Sequence, residues 1–185
     1  SVSMKFGLFG SAQAQRGGPD LDSGQGFRDF IEYNVEAEAL GFHGTFVVEH
    51  HFTGFGQVSA TLNLLTWLGA RTTTLRLGTA VTVLPWHNPV LLAEQAATLD
   101  LLSGGRVELG MGEAAGPAEL HPFNIRVRDK RERWEEAVKA IIPMFTRESW
   151  EFHGQYYDFP ARNVIPKPFQ KPHPPLWVAC SNIAT

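Results

Sequence analysis

The chain has 185 residues, of which 43% are hydrophobic, and its formal net charge is −3 at pH 7. This composition predicts a globular protein with a substantial core, and it excludes a disordered chain and a strongly basic protein that binds nucleic acid. The single cysteine, Cys180, excludes an intrachain disulfide, and the lack of a membrane-length apolar run and of a signal peptide predicts a soluble, cytoplasmic protein.

Four rounds of an apolar strand followed by an amphipathic helix recur from Met4 onwards. Residues 1–3 precede this methionine, and we interpret them as a cloning remnant outside the fold. The strands are predicted at residues 5–9, 45–48, 75–84 and 107–111, and the helices at residues 27–40, 59–71, 89–102 and 130–145. Strands that alternate with helices in this way predict right-handed crossovers and a parallel sheet.

The pattern changes after the fourth helix. Residues 150–159 alternate like a small hairpin, residues 165–175 are rich in proline, and residues 176–179 form a fifth apolar strand. No helix follows to cover this strand, and an uncovered parallel edge is a liability. We therefore expect either a longer protein, in which residues 4–185 are the N-terminal part of a single domain, or a second chain that completes the sheet in a homodimer or homo-oligomer.

Two adjacent histidines and a carboxylate follow the second strand as Glu49, His50 and His51. In parallel α/β folds the carboxyl ends of the strands, and the loops after them, form the active-site face. Neighbouring side chains in extended backbone point to opposite sides, which disfavours a two-histidine metal site and favours one imidazole in a cavity. Because histidine titrates near neutral pH, at least one of the pair is a candidate for catalysis or ligand binding, and the alternative is a pair of structural loop histidines.

Small residues follow two other strands. Residues 110–116 are rich in glycine and permit a phosphate group to approach the backbone, but the spacing matches no phosphate-binding fingerprint, so a tight turn is the equal alternative. Residues 79–82 could let a planar ligand lie against the backbone or could simply fill the core. At the opposite face, Asp100 and Arg106 are expected to pair for structural reasons.

Taken together, these segments resemble the bacterial luciferase-like flavin-dependent monooxygenases of the luciferase-like monooxygenase superfamily. The motifs that carry the resemblance, in order along the chain, are Met4-Lys5-Phe6-Gly7, Glu49-His50-His51-Phe52-Thr53 with Phe55-Gly56, Gly78-Thr79-Ala80, Val83-Leu84-Pro85, and Asp100 with Ser103 and Gly105-Arg106. The family implies a (β/α)8 TIM barrel, of which this chain would hold only about the first five strands and four helices.

The resemblance also implies a reaction. Reduced FMN, supplied by a separate flavin reductase as a transient partner, reacts with O2 to give a C4a-peroxyflavin, which oxidises a small organic substrate such as the aldehyde of the luciferases. One alternative is a deazaflavin-dependent oxidoreductase of the same superfamily, which transfers hydride and ignores oxygen. The alternative from another class is a non-catalytic flavin-binding half-barrel that assembles with another chain.

The family further implies roles for individual residues. His50 matches the catalytic acid/base, and His51, Phe52 and Trp86 are expected around the substrate cavity. The positions expected to contact the cofactor are Ala80 and Val81, whose peptide bond is commonly cis beneath the flavin ring, Gly112, Glu113, the phosphate-contacting Arg131, and Ser181.

Glu113 departs from the luciferase pattern, which has a phosphate-binding arginine at this position. A carboxylate beside a phosphate dianion is unfavourable. We therefore expect Glu113 to turn away, to pair with a base such as Arg131, or to belong to a subgroup that arranges the pocket differently.

Overall fold

The computed structural model of the chain describes residues 3–54, 58–114, 116–180 and 184. The strands in this part of the chain are β1 (Gly7–Gly10), β2 (Gly44–Val47), β3 (Arg76–Thr79), β4 (Thr82–Val83), β5 (Val107–Gly112), β6 (Trp150–His153), β7 (Asp158–Arg162) and β8 (Leu176–Val178). The α-helices are α1 (Gly24–Ala39), α2 (Thr61–Arg71), α3 (Pro89–Leu102), α4 (Pro117–Leu120) and α5 (Lys130–Met144). Within these described residues, no helix is both long and apolar enough to cross a membrane.

The main sheet is parallel throughout. Its strands lie in the order β1, β2, β3, β5, β8, and β4 pairs with the last residues of β5. This arrangement confirms the parallel sheet that the alternating pattern predicts. Strands β6 and β7 form the predicted antiparallel hairpin outside it. Because all strands of the main sheet point the same way, the carboxyl ends of β2, β4, β5 and β8 meet at one edge.

The strand predicted at residues 75–84 is interrupted in the middle. Strand β3 ends at Thr79, the Ala80–Val81 peptide bond is cis as the resemblance implies, and β4 is followed by a 3-10 turn at Leu84–Trp86. At the interruption the Thr79 hydroxyl donates to the Gly110 carbonyl (2.8 Å) and accepts from the Gly110 amide (2.9 Å). A Cβ atom at Gly110 would collide with the Thr79 carbonyl, so this close approach of the two strands requires glycine.

The segment between β5 and α5 holds helical turns that the sequence pattern did not predict. Helix α4 has only four residues, and 3-10 turns follow at His121–Phe123 and Val127–Asp129. Elements this short have no apolar period to detect, since one turn of helix contains a single repeat. They matter because α4 brings Glu119 to the same edge as the strand ends.

Helices α3 and α5 pack closely against each other, and both contribute to the apolar core that includes Leu109 and Met111 of β5. The fully buried residues of the two helices in this core include four alanines, namely Ala93, Ala96, Ala137 and Ala140. Alanine at these positions allows the helices to approach, while Leu92, Leu109 and Ile141 fill the space between them at about 1.5–3 kcal/mol for each buried side chain. This packing fixes where α5 begins, beside the end of β5.

The face opposite the strand ends is held by Arg106. This residue is 9% exposed, and its guanidinium donates to the Ser103 (2.9 Å), Leu75 (3.2 Å), Gly69 (2.7 Å) and Thr72 (3.2 Å) carbonyls and to the Thr72 hydroxyl (2.8 Å). These acceptors join α2, α3 and the start of β3. Arg106 therefore satisfies carbonyl groups at element ends that would otherwise lack donors.

The expected pairing of Asp100 with Arg106 is wrong. Asp100 is fully buried and accepts hydrogen bonds from the Gln170 amide (2.8 Å), the Gln170 side chain (2.7 Å) and the Val107 amide (3.3 Å). The two charged groups are thus satisfied by different partners. Asp100 ties the proline-rich segment to α3, which no local pattern could predict because Gln170 is 70 residues away.

Replacing Arg106 with methionine is expected to lower the free energy of unfolding by about 3 kcal/mol, because several buried carbonyls lose their donor together. Urea unfolding at neutral pH measures this loss. The matched control is Arg71→Met, which removes an ion pair to Glu32 (2.9 Å) between side chains 44% and 64% exposed. That variant should lose less than about 1 kcal/mol. Equal losses in the two variants would contradict the role given to Arg106.

Candidate active site

A cavity of about 470 Å³ opens at the carboxyl edge of the sheet, where β2, β4, β5 and β8 end. This volume lies in the range of sites for small molecules. Several residues singled out from the sequence line it together, namely His50, Ala80, Val81, Trp86, Gly112, Glu113 and Arg131. The lining also includes three charged residues that had no role assigned from the sequence, namely Glu49, Glu119 and Lys130.

Small residues form one wall of the cavity. Ala80 and Val81 come from the interruption between β3 and β4, and Gly112 ends β5. A Cβ atom at Gly112 would collide with Val81 Cγ2, so this contact between the two strands requires glycine. A wall with so little side-chain bulk leaves room for a planar group to approach the backbone.

His50 reaches the cavity with one side of its ring held by a carboxylate. Its Nδ1 lies 3.2 Å from Glu119 Oε1, and the same oxygen accepts the His51 backbone N–H at 2.6 Å. The Glu119 side chain is 10% exposed, whereas that of His50 is 41% exposed. A carboxylate against Nδ1 favours the tautomer with its proton there and makes Nε2 the basic nitrogen. The arrangement can therefore accept and return a proton at the cavity.

Glu49 is the buried centre of a second network. Its carboxylate lies 2.6 Å from His51 Nε2 and 2.9 Å from His87 Nε2, and it accepts the Val83 amide at 2.9 Å. Burial by itself raises the pKa of Glu49, but the hydrogen bonds from His51 and His87, the charge of His87 and the Val83 amide together lower it. Glu49 therefore stays ionised and joins the end of β2 to β4 and the turn after it.

His51 and Phe52 lie behind the cavity rather than on its wall. The His51 ring packs edge-on against Trp86 (4.7 Å between centroids) and Phe123 (5.1 Å), and Phe52 contacts Phe123 (5.6 Å). The Phe52 side chain is 58% exposed. Of the three expected cavity residues, only Trp86 contributes to the wall, and His51 supports it through this aromatic cluster.

Two cations and a carboxylate form the other end of the cavity. Glu113 Oε1 lies 3.4 Å from Lys130 Nζ, and Glu113 Oε2 lies 3.7 Å from Arg131 Nη1. Of the three arrangements expected for Glu113, the structure shows the pairing of its carboxylate with Arg131. Lys130 also donates to the Ala114 carbonyl (2.7 Å), and Arg131 donates to Glu135 (3.0 Å). This end could bind an anion if Glu113 moved.

The sequence signals for the unassigned residues differ in kind. Glu49 stands directly before the two histidines, so the sequence places it near the site. The sequence does not indicate what its carboxylate binds. Glu119 could not be found by spacing because it lies 69 residues from His50. Lys130 directly precedes Arg131 in a stretch that alternates in charge and is typical of a solvated helix face. Ser181, expected at the phosphate pocket, lies outside the described residues, as do Phe55 and Gly56.

Comparisons of this chain with known proteins agree on one family. A family model described as luciferase-like monooxygenase matches residues 4–185. The oxygenase component of the flavin-dependent trigonelline monooxygenase of Acinetobacter baylyi is 29% identical over 178 residues, which are 95% of this chain and 49% of that protein. The crystal structure of monooxygenase RslO1 from Streptomyces bottropensis matches with a TM-score of 0.89 and 32% identity, over 96% of this chain and 54% of that one.

Two more distant structures share the fold. The oxygenating constituent of 3,6-diketocamphane monooxygenase of Pseudomonas putida, in complex with FMN, has a TM-score of 0.85 and 20% identity, over 96% of this chain and 51% of that one. An F420-dependent secondary alcohol dehydrogenase has a TM-score of 0.77 and 21% identity, over 94% of this chain and 51% of that one. These matches confirm the predicted barrel class, and the chain spans about half the length of the relatives it matches.

Replacing Glu49 with glutamine is expected to cost about 3 kcal/mol of unfolding free energy at pH 7, because two imidazoles lose a buried charged partner. The pKa of Glu49 in the fold is lower than the ordinary 4.5, so its stabilisation is present above about pH 4.5 and is lost as the pH falls through the folded-state value. The difference in unfolding free energy between wild type and Glu49→Gln should therefore become smaller below about pH 4.5. Urea unfolding across this pH range measures it.

Glu151→Gln is the matched control for this prediction. Glu151 also faces a histidine, His153, at 3.3 Å, but both side chains are 63% exposed. Its removal should change the unfolding free energy by less than about 1 kcal/mol. A loss in Glu49→Gln that stays constant from pH 7 to the acid limit would show that the charge of Glu49 contributes nothing.

Proposed function

The chain belongs to the luciferase-like monooxygenase family, and from this premise we propose that it binds reduced FMN and uses O2 to oxidise a small organic substrate. The observation that carries the proposal is the oriented imidazole of His50 on the same cavity as a wall of small residues and a pair of cations. The finer parts of the proposal are a C4a-peroxyflavin as the oxidant and an aldehyde as the substrate class.

The residues of the cavity fit FMN in two respects. The wall of Ala80, Val81 and Gly112 offers backbone surface to a planar ring, and the cations Lys130 and Arg131 suit a phosphate group at the other end. When bound, the flavin supplies the electrons for the reduction of oxygen, while the protein supplies binding, orientation and electrostatics. Glu113 is the exception in this set, because its charge opposes that of a phosphate.

His50 is proposed as the residue that handles protons. Its basic Nε2 follows from the carboxylate of Glu119 on Nδ1, so Glu119 is a positioning residue that acts through the imidazole. Trp86, held by the His51 and Phe123 rings, would keep water from one side of the cavity. Each of these roles concerns a side chain whose position is fixed by a neighbour in the fold.

The proposal also includes protein partners for this chain. One relative is an oxygenase component and one structural neighbour an oxygenating constituent, which supports delivery of reduced FMN by a separate flavin reductase. We also propose that the chain forms a homodimer or homo-oligomer. Because the chain spans about half of its relatives, a flavin-binding module that needs a second polypeptide for activity is the alternative from another class.

A deazaflavin-dependent oxidoreductase is the second candidate enzyme. It is favoured by the similarity of the fold to that of an F420-dependent alcohol dehydrogenase. A hydride-transferring enzyme would need the same planar wall and the same proton-handling imidazole, but it would have no use for oxygen. The two chemistries are therefore separated by the fate of O2 and not by the shape of the site.

The purified chain, mixed with reduced FMN and a long-chain aliphatic aldehyde under 18O2, is expected to form the carboxylic acid with one labelled oxygen. The balanced reaction consumes one aldehyde, one reduced FMN and one O2, and gives the acid, oxidised FMN and water. Mass spectrometry of the acid measures the label. Unlabelled acid would contradict the monooxygenase, oxidation of reduced F420 with a ketone under argon would support the second candidate, and flavin binding with neither reaction would support the module.

Replacing Glu119 with glutamine is expected to lower kcat by about 10- to 100-fold while the Kd for FMN stays unchanged, because orientation of His50 is lost and the wall is not. His50→Gln should lower kcat by about 100-fold or more. The double variant is expected to resemble His50→Gln alone, since Glu119 acts only through that imidazole.

Glu132→Gln is the control, because Glu132 binds the Tyr156 hydroxyl (2.8 Å) on the exposed side of α5 and should leave kcat unchanged. Steady-state kinetics and flavin titration of wild type and the four variants give the required values. Multiplied losses in the double variant would show that Glu119 acts independently of His50.

A further inference from the structure

The cationic end of the cavity contains its own anion. The carboxylate of Glu113 lies between Lys130 and Arg131, with one oxygen toward each cation, and all three side chains line the same cavity. None of the three is fully buried, since their side chains are 30%, 20% and 35% exposed. The carboxylate is therefore in contact with both the cations and the solvent-filled space.

The two cations do not depend on Glu113 for their positions. Lys130 donates to the Ala114 carbonyl at 2.7 Å, and Arg131 donates to Glu135 at 3.0 Å. Their distances to the Glu113 oxygens are longer, at 3.4 and 3.7 Å. Charge-assisted hydrogen bonds of full strength are about 2.7–2.9 Å long, so Glu113 is the most weakly held partner in this group. It can leave while both cations stay.

We propose that Glu113 is an internal competitor for the phosphate of the flavin. Its carboxylate holds the anion position between Lys130 and Arg131 and has to move away when a phosphorylated ligand binds. This inference rests on the proposed function in that it takes FMN as the ligand. It adds Glu113 as a residue that sets the affinity for the phosphate held by Lys130 and Arg131.

The competitor has a consequence for the use of the cofactor. Displacing Glu113 breaks two ion pairs and leaves a carboxylate near a phosphate dianion, and both effects weaken binding of FMN. Binding of the ring is expected to be unaffected, because the wall consists of Ala80, Val81 and Gly112 and does not include the Glu113 side chain. Weak retention suits a flavin that a separate reductase must deliver and take back in every turnover.

The test compares FMN with riboflavin, which has the same ring and no phosphate. Glu113→Gln removes the charge and keeps the shape, and it should lower the Kd for FMN by about tenfold, with riboflavin changed by less than about twofold. Quenching of flavin fluorescence measures both constants with the oxidised flavins. Glu132→Gln is the control, because it removes a carboxylate of the same helix that binds the Tyr156 hydroxyl (2.8 Å) and does not line the cavity. It should leave the ratio of the two constants unchanged.

Inorganic phosphate provides an arm that does not depend on flavin. Phosphate at millimolar concentration should raise the Tm of Glu113→Gln more than that of wild type. If no flavin binds to either protein, the proposed function fails and the phosphate arm alone decides the inference. An unchanged or weaker affinity for FMN, an equal gain for riboflavin, or an equal response to phosphate would overturn it. Glu113→Ala serves as the second variant if circular dichroism finds Glu113→Gln misfolded.

Discussion

A buried carboxylate bound by two imidazoles and one amide determines the geometry of the cavity. Glu49 is 4% exposed, and an ionised group that is removed from water is stable only with partners that satisfy it. Those partners come from the loop after β2 and from the segment around β4, so the two strand ends must lie side by side. In the sequence His50 stands between Glu49 and His51, which both belong to this network. The network therefore also fixes the position of the His50 backbone.

The elements that build this arrangement were largely predictable, and the exceptions have physical causes. Helices such as α3 bury a continuous apolar surface over several turns, so their sequence carries a signal at every turn. Helix α4 is a single turn and carries none. The interruption at Ala80 is hidden because residues 77–84 form one nearly continuous strand-like stretch, and only the family resemblance indicated it. Long-range polar contacts, such as that of Asp100 with Gln170, leave no trace in the sequence.

The residues of the candidate site also fall into those that the sequence predicts and those that it does not. His50 and the wall at Ala80–Val81 could be named in advance, because strand ends and small residues are local features. The side chains that give them their chemical properties could not, since Glu119 reaches His50 from 69 residues away. The sequence predicts that the charge of Glu113 would oppose that of a phosphate. Its pairing with Lys130 and Arg131 depends on two distances that only the fold sets.

Carboxylates serve two different purposes in this cavity, and burial separates them. The side chains of Glu49 and Glu119 are only 2% and 10% exposed, so losing a partner would leave a desolvated charge, and their histidines are held in fixed positions. Glu113 is 30% exposed, and water can replace either of its partners at little cost. The end of the cavity at His50 is therefore held rigidly, whereas the contacts of Glu113 at the other end can be exchanged. His50 is oriented by Glu119, whereas Glu113 contacts Lys130 and Arg131, so a change at Glu113 is expected to leave the orientation of His50 undisturbed.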